Sequence, residues 1–265
     1  MTVDPWEGVG PDNLITTGAH VDRIPDDYQH LVAKIVSKLV AAHEDVLAIY
    51  LYGSVATGMA TPPTSDLDLL GVLDSSEGQP AIRRVATELS ERHHTLVSEV
   101  SIATVTVPDV WADTVDGLGW RCFLKHYCVH LHGAKIHESI ESCRATPEIA
   151  WAFNHDVAEA VSSARANLTD ANSPSDVAVI CRTAAKKVSL AATSLVSVAE
   201  NRWTTDRATA AASIARLYPE WADMAQTALR WRVIPSGKPE EVTRFLEGYA
   251  SWVADELKRL CHPPR

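Results

Sequence analysis

Two aspartates one residue apart, Asp66 and Asp68, are the residues of this 265-residue chain best suited to chemistry. In an extended segment residues i and i+2 project from the same face. The two carboxylates therefore stand together, while Leu67 and Leu69 point the other way, into a core. Adjacent like charges disfavour folding unless something neutralises them, and a hard divalent cation with oxygen ligands is the usual partner. Upstream, the apolar run Val46–Tyr52 ends at Gly53 and Ser54, and eleven residues separate this pair from Asp66. Glycine lets a backbone approach phosphates closely. Free amides at the start of a helical turn attract phosphate, and the Ser54 hydroxyl adds a donor. Ser65, next to Asp66, offers a second hydroxyl for phosphate or for a carboxylate. An Asp-x-Asp pair alone is common on solvated strands, and a Gly-Ser pair is commoner still. The assembled order is specific, and metal plus phosphate points to nucleotidyl transfer. Such a site calls for a further carboxylate, to complete a metal shell or to accept the acceptor's proton. Glu99, within Val97-Ser-Glu-Val-Ser-Ile102, is the candidate.

The elements that position these residues follow from periodicity. Leu31, Ile35, Val36, Leu39 and Val40 recur at helical spacing from Asp26 to about His43. Val46–Tyr52 and Leu67–Leu73 read as buried strands, with a helix from Gly78 to about His93 and a third strand over Leu96–Val107, ended by Pro108. Leu118–His132 reads as a helix that Gly133 ends. From Thr146 the pattern is helical, with expected helices at 146–168, 175–200, 205–217, 219–231 and 239–260. The expectation is an α+β chain. An irregular lead-in, 1–25, precedes a small domain with a short mixed sheet, 26–140, and an all-α helical bundle follows, 141–265.

Composition narrows the partners. The formal net charge is −10, so a broad nucleic-acid footprint, which needs a basic face, is disfavoured, while a small cationic acceptor is electrostatically welcome. The five cysteines, Cys122, Cys128, Cys143, Cys181 and Cys261, form no Cys-x-x-Cys pair and read as reduced thiols of a cytoplasmic protein. The N-terminus lacks the basic and apolar regions of a signal peptide, and no apolar run reaches membrane-spanning length. Histidines gather at His126, His130, His132 and His137. On the expected helix His126 and His130 share a face at a spacing that can bind zinc. No His-Glu-x-x-His pattern and no cysteine pair accompany them, and they read as surface histidines between the domains.

Taken together, Leu51–Ser54, Ser65–Leu70 and Glu99–Ile102 resemble the signature of the polymerase-β-type nucleotidyltransferase superfamily, and in particular the adenylyltransferases that modify streptomycin and spectinomycin. The resemblance implies ATP as donor, two Mg²⁺ ions held by Asp66, Asp68 and Glu99, and Glu99 as base. It also implies a helical domain that closes over the nucleotide and supplies cations to its phosphates. Val179–Thr183 resembles the family segment that carries an arginine, here Arg182, with Lys186 and Lys187 about one turn further on. Asn201–Arg207 resembles the loop that carries a phosphate-binding lysine, with Arg207 as its match. The streptomycin enzymes place a Trp and an acid before the arginine helix. Asn172–Val177 offers Asp176 as the acid and has no Trp, so Trp151, Trp203, Trp221 and Trp231 become candidates for a different acceptor wall. The expected activity is transfer of AMP from ATP to a hydroxyl of a small molecule, an aminoglycoside or aminocyclitol. The alternatives are transfer to a protein, a tRNA or a biosynthetic intermediate, and a non-catalytic, antitoxin-like partner, which the long helical region disfavours. Acceptor, donor base and oligomeric state stay open at this level.

Overall fold

The computed structural model describes residues 4–262, which divide into two units between residues 144 and 145. The first and last three residues, including part of the N-terminus read above for a signal peptide, lie outside the described residues. Residues 4–25 are more structured than their Pro, Gly and Asp content suggested. Strands β1 (Gly8–Val9) and β2 (Ile15–Thr16) pair antiparallel, Ile15 is buried, and the Asp4 carboxylate accepts the Gly18 amide at 2.6 Å.

Helix α1 (Asp26–Ala42) buries Leu31, Val32, Ile35 and Leu39, and its acidic first turn complements the helix dipole. Then come β3 (Val46–Tyr52), the short α2 (Gly53–Ala56), β4 (Leu67–Leu73), α3 (Gln79–Arg92), β5 (Val100–Thr106), α4 (Val107–Trp111), α5 (Val115–His126) and β6 (Val129–Gly133). The sheet runs β5-β4-β3-β6. β3 pairs antiparallel with β4 and β6, and β4 pairs parallel with β5, so the sheet is mixed as expected. Ile49, Leu51, Leu67 and Leu69 pack on one face with Leu31, Ile35 and Leu39 of α1 and Ile82 and Leu89 of α3. Ala48, Tyr50, Leu70 and Val72 pack on the other with Val110 of α4 and Leu124 of α5. Cover on both faces explains why β3 and β4 read as continuous apolar runs.

Two expectations need correction. The third strand begins at Val100, not Leu96, so Glu99 immediately precedes it. The expected helix Leu118–His132 is α5 followed by β6, and Tyr127 caps the helix. Gly133 closes that strand with φ +79, where a Cβ would sit 2.0 Å from the Leu47 carbonyl oxygen.

The second unit is helical: α6 (Pro147–Asn154), α7 (Val157–Thr169), α8 (Pro174–Ala199), α9 (Arg207–Leu217), α10 (Ala222–Trp231), α11 (Pro239–Phe245) and α12 (Ser251–Cys261). Helix α8 is the hub, and the other six helices pack against it. Its buried Ala184, Ala185, Ala191, Ala192 and Ser189 let neighbouring helices approach closely. Thr146, Ser173 and Asp206 cap α6, α8 and α9 by accepting the amide three residues on. The expected helix 146–168 breaks after Asn154, whose buried amide donates to Ser194 Oγ at 2.9 Å and to the Leu190 carbonyl at 3.4 Å. The expected helix 239–260 is interrupted by a π turn at Leu246–Ala250. The Leu246 carbonyl there accepts from Arg165 at 3.0 Å and Ser251 at 2.7 Å, side chains that satisfy what the widened turn leaves open. No helix among the described residues is long and apolar enough to cross a membrane.

Candidate active site

Leu67 and Leu69 have no solvent exposure. Burying each contributes roughly 2–3 kcal/mol, and a one-residue slip would drive the aspartates into that core instead. The register is thereby fixed: Leu51 faces Leu69 and Tyr52 faces Asp68. Asp68 is half-buried, and Asp66, one residue before β4, is exposed. Gly53 follows β3 with φ +73, and a Cβ there would lie 2.6 Å from Asp68 Oδ2. Both the backbone angle and the close approach require glycine, so the Gly-Ser turn is built directly against the second aspartate. Ser54 is half-buried in the first turn of α2, whose leading amides have no partner within the helix.

Ser65 shapes the loop ahead of Asp66. Its Oγ accepts the Thr61 amide at 2.9 Å, and its own amide donates to the Thr61 carbonyl at 3.0 Å. The parallel pairing of Leu67 with Val100 and Asp68 with Ser101 brings the ends of β4 and β5 together. Beyond those ends the Leu67 amide donates to the Glu99 carbonyl at 2.8 Å and the Ser98 amide to the Ser65 carbonyl at 3.1 Å. Asp66 and Glu99 thus sit side by side on adjacent chain segments, both exposed. Among the described residues no three His, Cys, Asp or Glu side chains gather into a metal-holding group.

Two contributors escaped sequence reasoning. The Ser98 hydroxyl donates to Asp66 Oδ1 and orients that carboxylate. Its only signal in the sequence is its place next to Glu99. Tyr52 faces Asp68 across β3 and β4, with its ring edge-on to Phe123 at 5.0 Å. Burial first, then the charges of Asp68, Cys128 and Asp66, push its phenol pKa well up. Tyr52 therefore stays protonated beside the carboxylates and keeps a hydrogen to donate.

The zinc spacing does not survive. His126 lies on α5 and His130 on β6, so they share no helix face. His130 instead stacks on His137 at 5.6 Å, and both meet the Tyr50 ring edge-on. Together with His20 and Lys135, these two histidines line a cavity of about 270 Å³ that none of the site carboxylates lines.

In the second unit Arg182 and Lys186 lie exposed one turn apart on α8, and Arg182 Nη2 donates to the Val233 carbonyl at 3.5 Å. Lys187 does not join them; it pairs with Asp156 at 2.5 Å. Arg207 opens α9 directly after the capping Asp206 and is half-buried. Asp176 is engaged in capping α8: its carboxylate accepts the Asn172 amide at 3.2 Å, and its own amide donates to Ser173 Oγ at 3.1 Å. Each of the four tryptophans meets another ring. Trp203 is buried beside Phe153, Trp221 stacks on Trp252 at 5.4 Å, Trp231 lies edge-on to Phe245 at 5.3 Å, and Trp151 is edge-on to His262 at 4.8 Å.

Residues 34–110, from within α1 to α4, match the family model described as polymerase beta, nucleotidyltransferase. The first unit carries a polymerase-β-type nucleotidyltransferase domain. The matched span contains the Gly-Ser turn, both aspartates, Ser98 and Glu99. No curated protein matches the chain by sequence. Among solved structures, the spectinomycin adenyltransferase AAD(9) from Enterococcus faecialis, determined with ATP and spectinomycin, is similar. The identity is 12%, the match covers 85% of this chain and 99% of that one, and the TM-score is 0.54. At that identity the likeness establishes a shared fold.

Proposed function

We propose that this nucleotidyltransferase moves AMP from ATP to a hydroxyl of an aminoglycoside or aminocyclitol, with pyrophosphate leaving. The observation that carries the reading is the Asp66–Asp68 pair with the glycine turn packed against it. The donor set fits Mg²⁺, which takes one or two protein carboxylates, keeps several waters and completes its shell with phosphate oxygens. Asp66 and Asp68 would hold it. Mg²⁺ bound there would offset the triphosphate charge and polarise the α-phosphate.

The protein groups supply the rest. Ser98 keeps Asp66 from turning away, and Gly53 sets how close Asp68 can come to the turn. The Gly53 and Ser54 amides and the Ser54 hydroxyl bind phosphate oxygens, while Ser65 holds the loop that delivers Asp66. Tyr52 keeps a protonated hydroxyl near the carboxylates. Glu99, on the chain segment beside Asp66, is the base that takes the proton of the attacking hydroxyl. Arg182, Lys186 and Arg207 are the phosphate-binding cations that the family resemblance assigns to the second unit. The net charge of −10 suits a polycationic acceptor, and a protein of the same fold was solved with spectinomycin. Incubation with ATP, Mg²⁺ and a panel of aminoglycosides and aminocyclitols, read by mass spectrometry, tests the reading. An AMP ester on at least one member, with stoichiometric pyrophosphate, is expected. Protein that binds Mg-ATP and labels none of them would overturn the acceptor class; protein that binds no Mg-ATP would overturn the chemistry.

A further inference from the structure

His20, His130, Lys135 and His137 line a cavity that the transfer chemistry does not use. The chain builds it around Tyr50. The turn at Gly133 brings the chain back along β3, where the Ala134 amide donates to the Leu47 carbonyl at 2.9 Å. The buried Tyr50 then holds the returning segment. Its hydroxyl donates to the Ala134 carbonyl at 3.3 Å and accepts the His137 amide at 3.3 Å, which fixes the 3₁₀ turn Ile136–Ser139. His130 stands opposite Tyr50 in the pairing of β3 with β6, so the turn leaves the two imidazoles stacked against one phenol ring. His20 caps the turn Val21–Arg23, and Lys135 comes from the segment between Gly133 and His137. Three imidazoles and one ammonium thus line one space, and no carboxylate is among its lining residues. The catalytic aspartates are elsewhere on the sheet: β4, which carries Asp68, and β6, which carries His130, flank β3 on opposite sides.

We propose that this cavity binds a tetrahedral oxyanion, sulfate or a phosphate group, through imidazole and ammonium hydrogens. Its volume of about 270 Å³ is smaller than the clefts that enclose drug-sized ligands and suits a small ion with a few waters. The hydrogen-bond inventory shows which donors are left for it. His20 Nδ1 accepts the Asp22 amide at 3.2 Å, so the neutral ring carries its hydrogen on Nε2. Lys135 gives one hydrogen to Glu138 at 3.0 Å and keeps two. His130 Nε2 donates to the Gly133 carbonyl at 3.1 Å, so its Nδ1 gains a hydrogen only when the ring is protonated. His137 Nδ1 meets the Tyr50 hydroxyl at 3.2 Å. That hydroxyl gives its hydrogen to Ala134, so Nδ1 donates to it, and Nε2 becomes a donor only in the imidazolium. Two donors stand ready in the neutral site, and protonation adds two more, each charge-assisted towards an anion.

Binding is therefore coupled to proton uptake. Burial, then the charge of His130, lower the His137 pKa below its ordinary 6.5, and Lys125 and Lys135 act in the same direction. Glu138 opposes them, and Asp22 lies 3.5 Å from His20. An anion in the cavity favours the imidazolium and raises that pKa. Between the free and the bound value one proton enters with each anion, and affinity gains up to about tenfold for each pH unit lost. Below the free value the gain stops.

The test is NMR of the histidine ring signals of the ¹⁵N-labelled full chain, without ATP or Mg²⁺, with His130→Gln and His137→Gln to assign them. The titrant is sodium sulfate, whose charge is constant across the pH range, against sodium chloride at matched ionic strength. Saturable shifts at His130 and His137 are expected with sulfate alone. The His137 titration midpoint should rise, and sulfate should bind about tenfold more tightly at pH 6 than at pH 8. Lys135→Ala, a change at an exposed side chain, should weaken binding about tenfold, the loss of one hydrogen bond to a charged group. Ser54→Ala, in the phosphate-binding turn, should leave these shifts unchanged, which separates this site from that of the nucleotide. Inorganic phosphate and glycerol phosphate decide the source: equal shifts with both assign the site to a phosphorylated molecule, and shifts with the inorganic ion alone assign it to a free anion. Shifts that chloride reproduces, that never saturate, or that persist at full strength in Lys135→Ala would overturn the proposal.

Discussion

Replacing Gly53 with alanine separates the backbone role of the glycine turn from its contact with Asp68. Gly53 has φ +73, where a residue with a Cβ costs about 1–2 kcal/mol. The added Cβ would lie 2.6 Å from Asp68 Oδ2, whereas ordinary contact begins at 3.4 Å. The carboxylate must therefore retreat by about 0.8 Å, and a displacement near 1 Å in a reacting geometry costs on the order of 100-fold in rate. Gly58 is the control. Its φ is +74, but its Cβ would meet the Arg23 carbonyl oxygen, at 2.9 Å, instead of a carboxylate. Gly53→Ala and Gly58→Ala should lose similar stability in urea denaturation followed by circular dichroism. Only Gly53→Ala should lose about 100-fold in pyrophosphate release with ATP and an accepted substrate. Equal transfer by the two variants would show that the approach of Gly53 to Asp68 does not position the carboxylate for chemistry.

Three further outcomes follow from other contacts. Tyr52→Phe removes a donor beside Asp68 and keeps the ring on Phe123; transfer should fall about tenfold, as for one lost hydrogen bond of roughly 1.5 kcal/mol, with the melting temperature unchanged, and a wild-type rate would remove Tyr52 from the site. Burial, and next the nearby His130, lower the His137 pKa below its ordinary 6.5. The unfolded chain therefore binds this proton more readily, so the contribution is complete above pH 6.5 and shrinks as the pH falls toward the folded value. Melting curves from pH 7.5 to 5 should show that loss, and His137→Gln should flatten it; an identical slope in the variant would refute the assignment. Asn154→Ala leaves Ser194 and the Leu190 carbonyl without their donor and should destabilise the helical unit by about 1–3 kcal/mol in chemical denaturation; a change within a few tenths would show that the break after α6 has another cause.

The acidic pair and its flanking leucines were legible because period-two alternation and burial act within a few residues. The α+β division was legible for the same reason, since strand signals stop where the alanine-rich helices begin. Strand β6 was not. Val-His-Leu-His alternates as a strand should, but it follows α5 so directly that helical spacing runs on through it. Its pairing partner, β3, lies about eighty residues earlier, and that long-range contact decides the outcome. The early end assigned to the third strand has a similar origin. Leu96 and Val97 are apolar because they pack under the turns after α3, not because they pair in the sheet. The break after Asn154 depends on a buried amide finding Ser194, forty residues away, which no local pattern encodes. Ser98 was missed because its role exists only once the parallel pairing of β4 and β5 has brought it to Asp66.

The central claim is that the Asp66–Asp68 pair performs metal-dependent nucleotidyl transfer. Asp68→Asn preserves size and hydrogen-bonding shape and removes one negative charge. Transfer rate and melting temperature, measured side by side with ATP, Mg²⁺ and an accepted substrate, test the claim directly. The predicted result is a melting temperature within a few degrees of wild type and a rate lowered at least about 1000-fold, the loss of roughly 4 kcal/mol of transition-state stabilisation. A folded Asp68→Asn protein that turns over at the wild-type rate would contradict the claim.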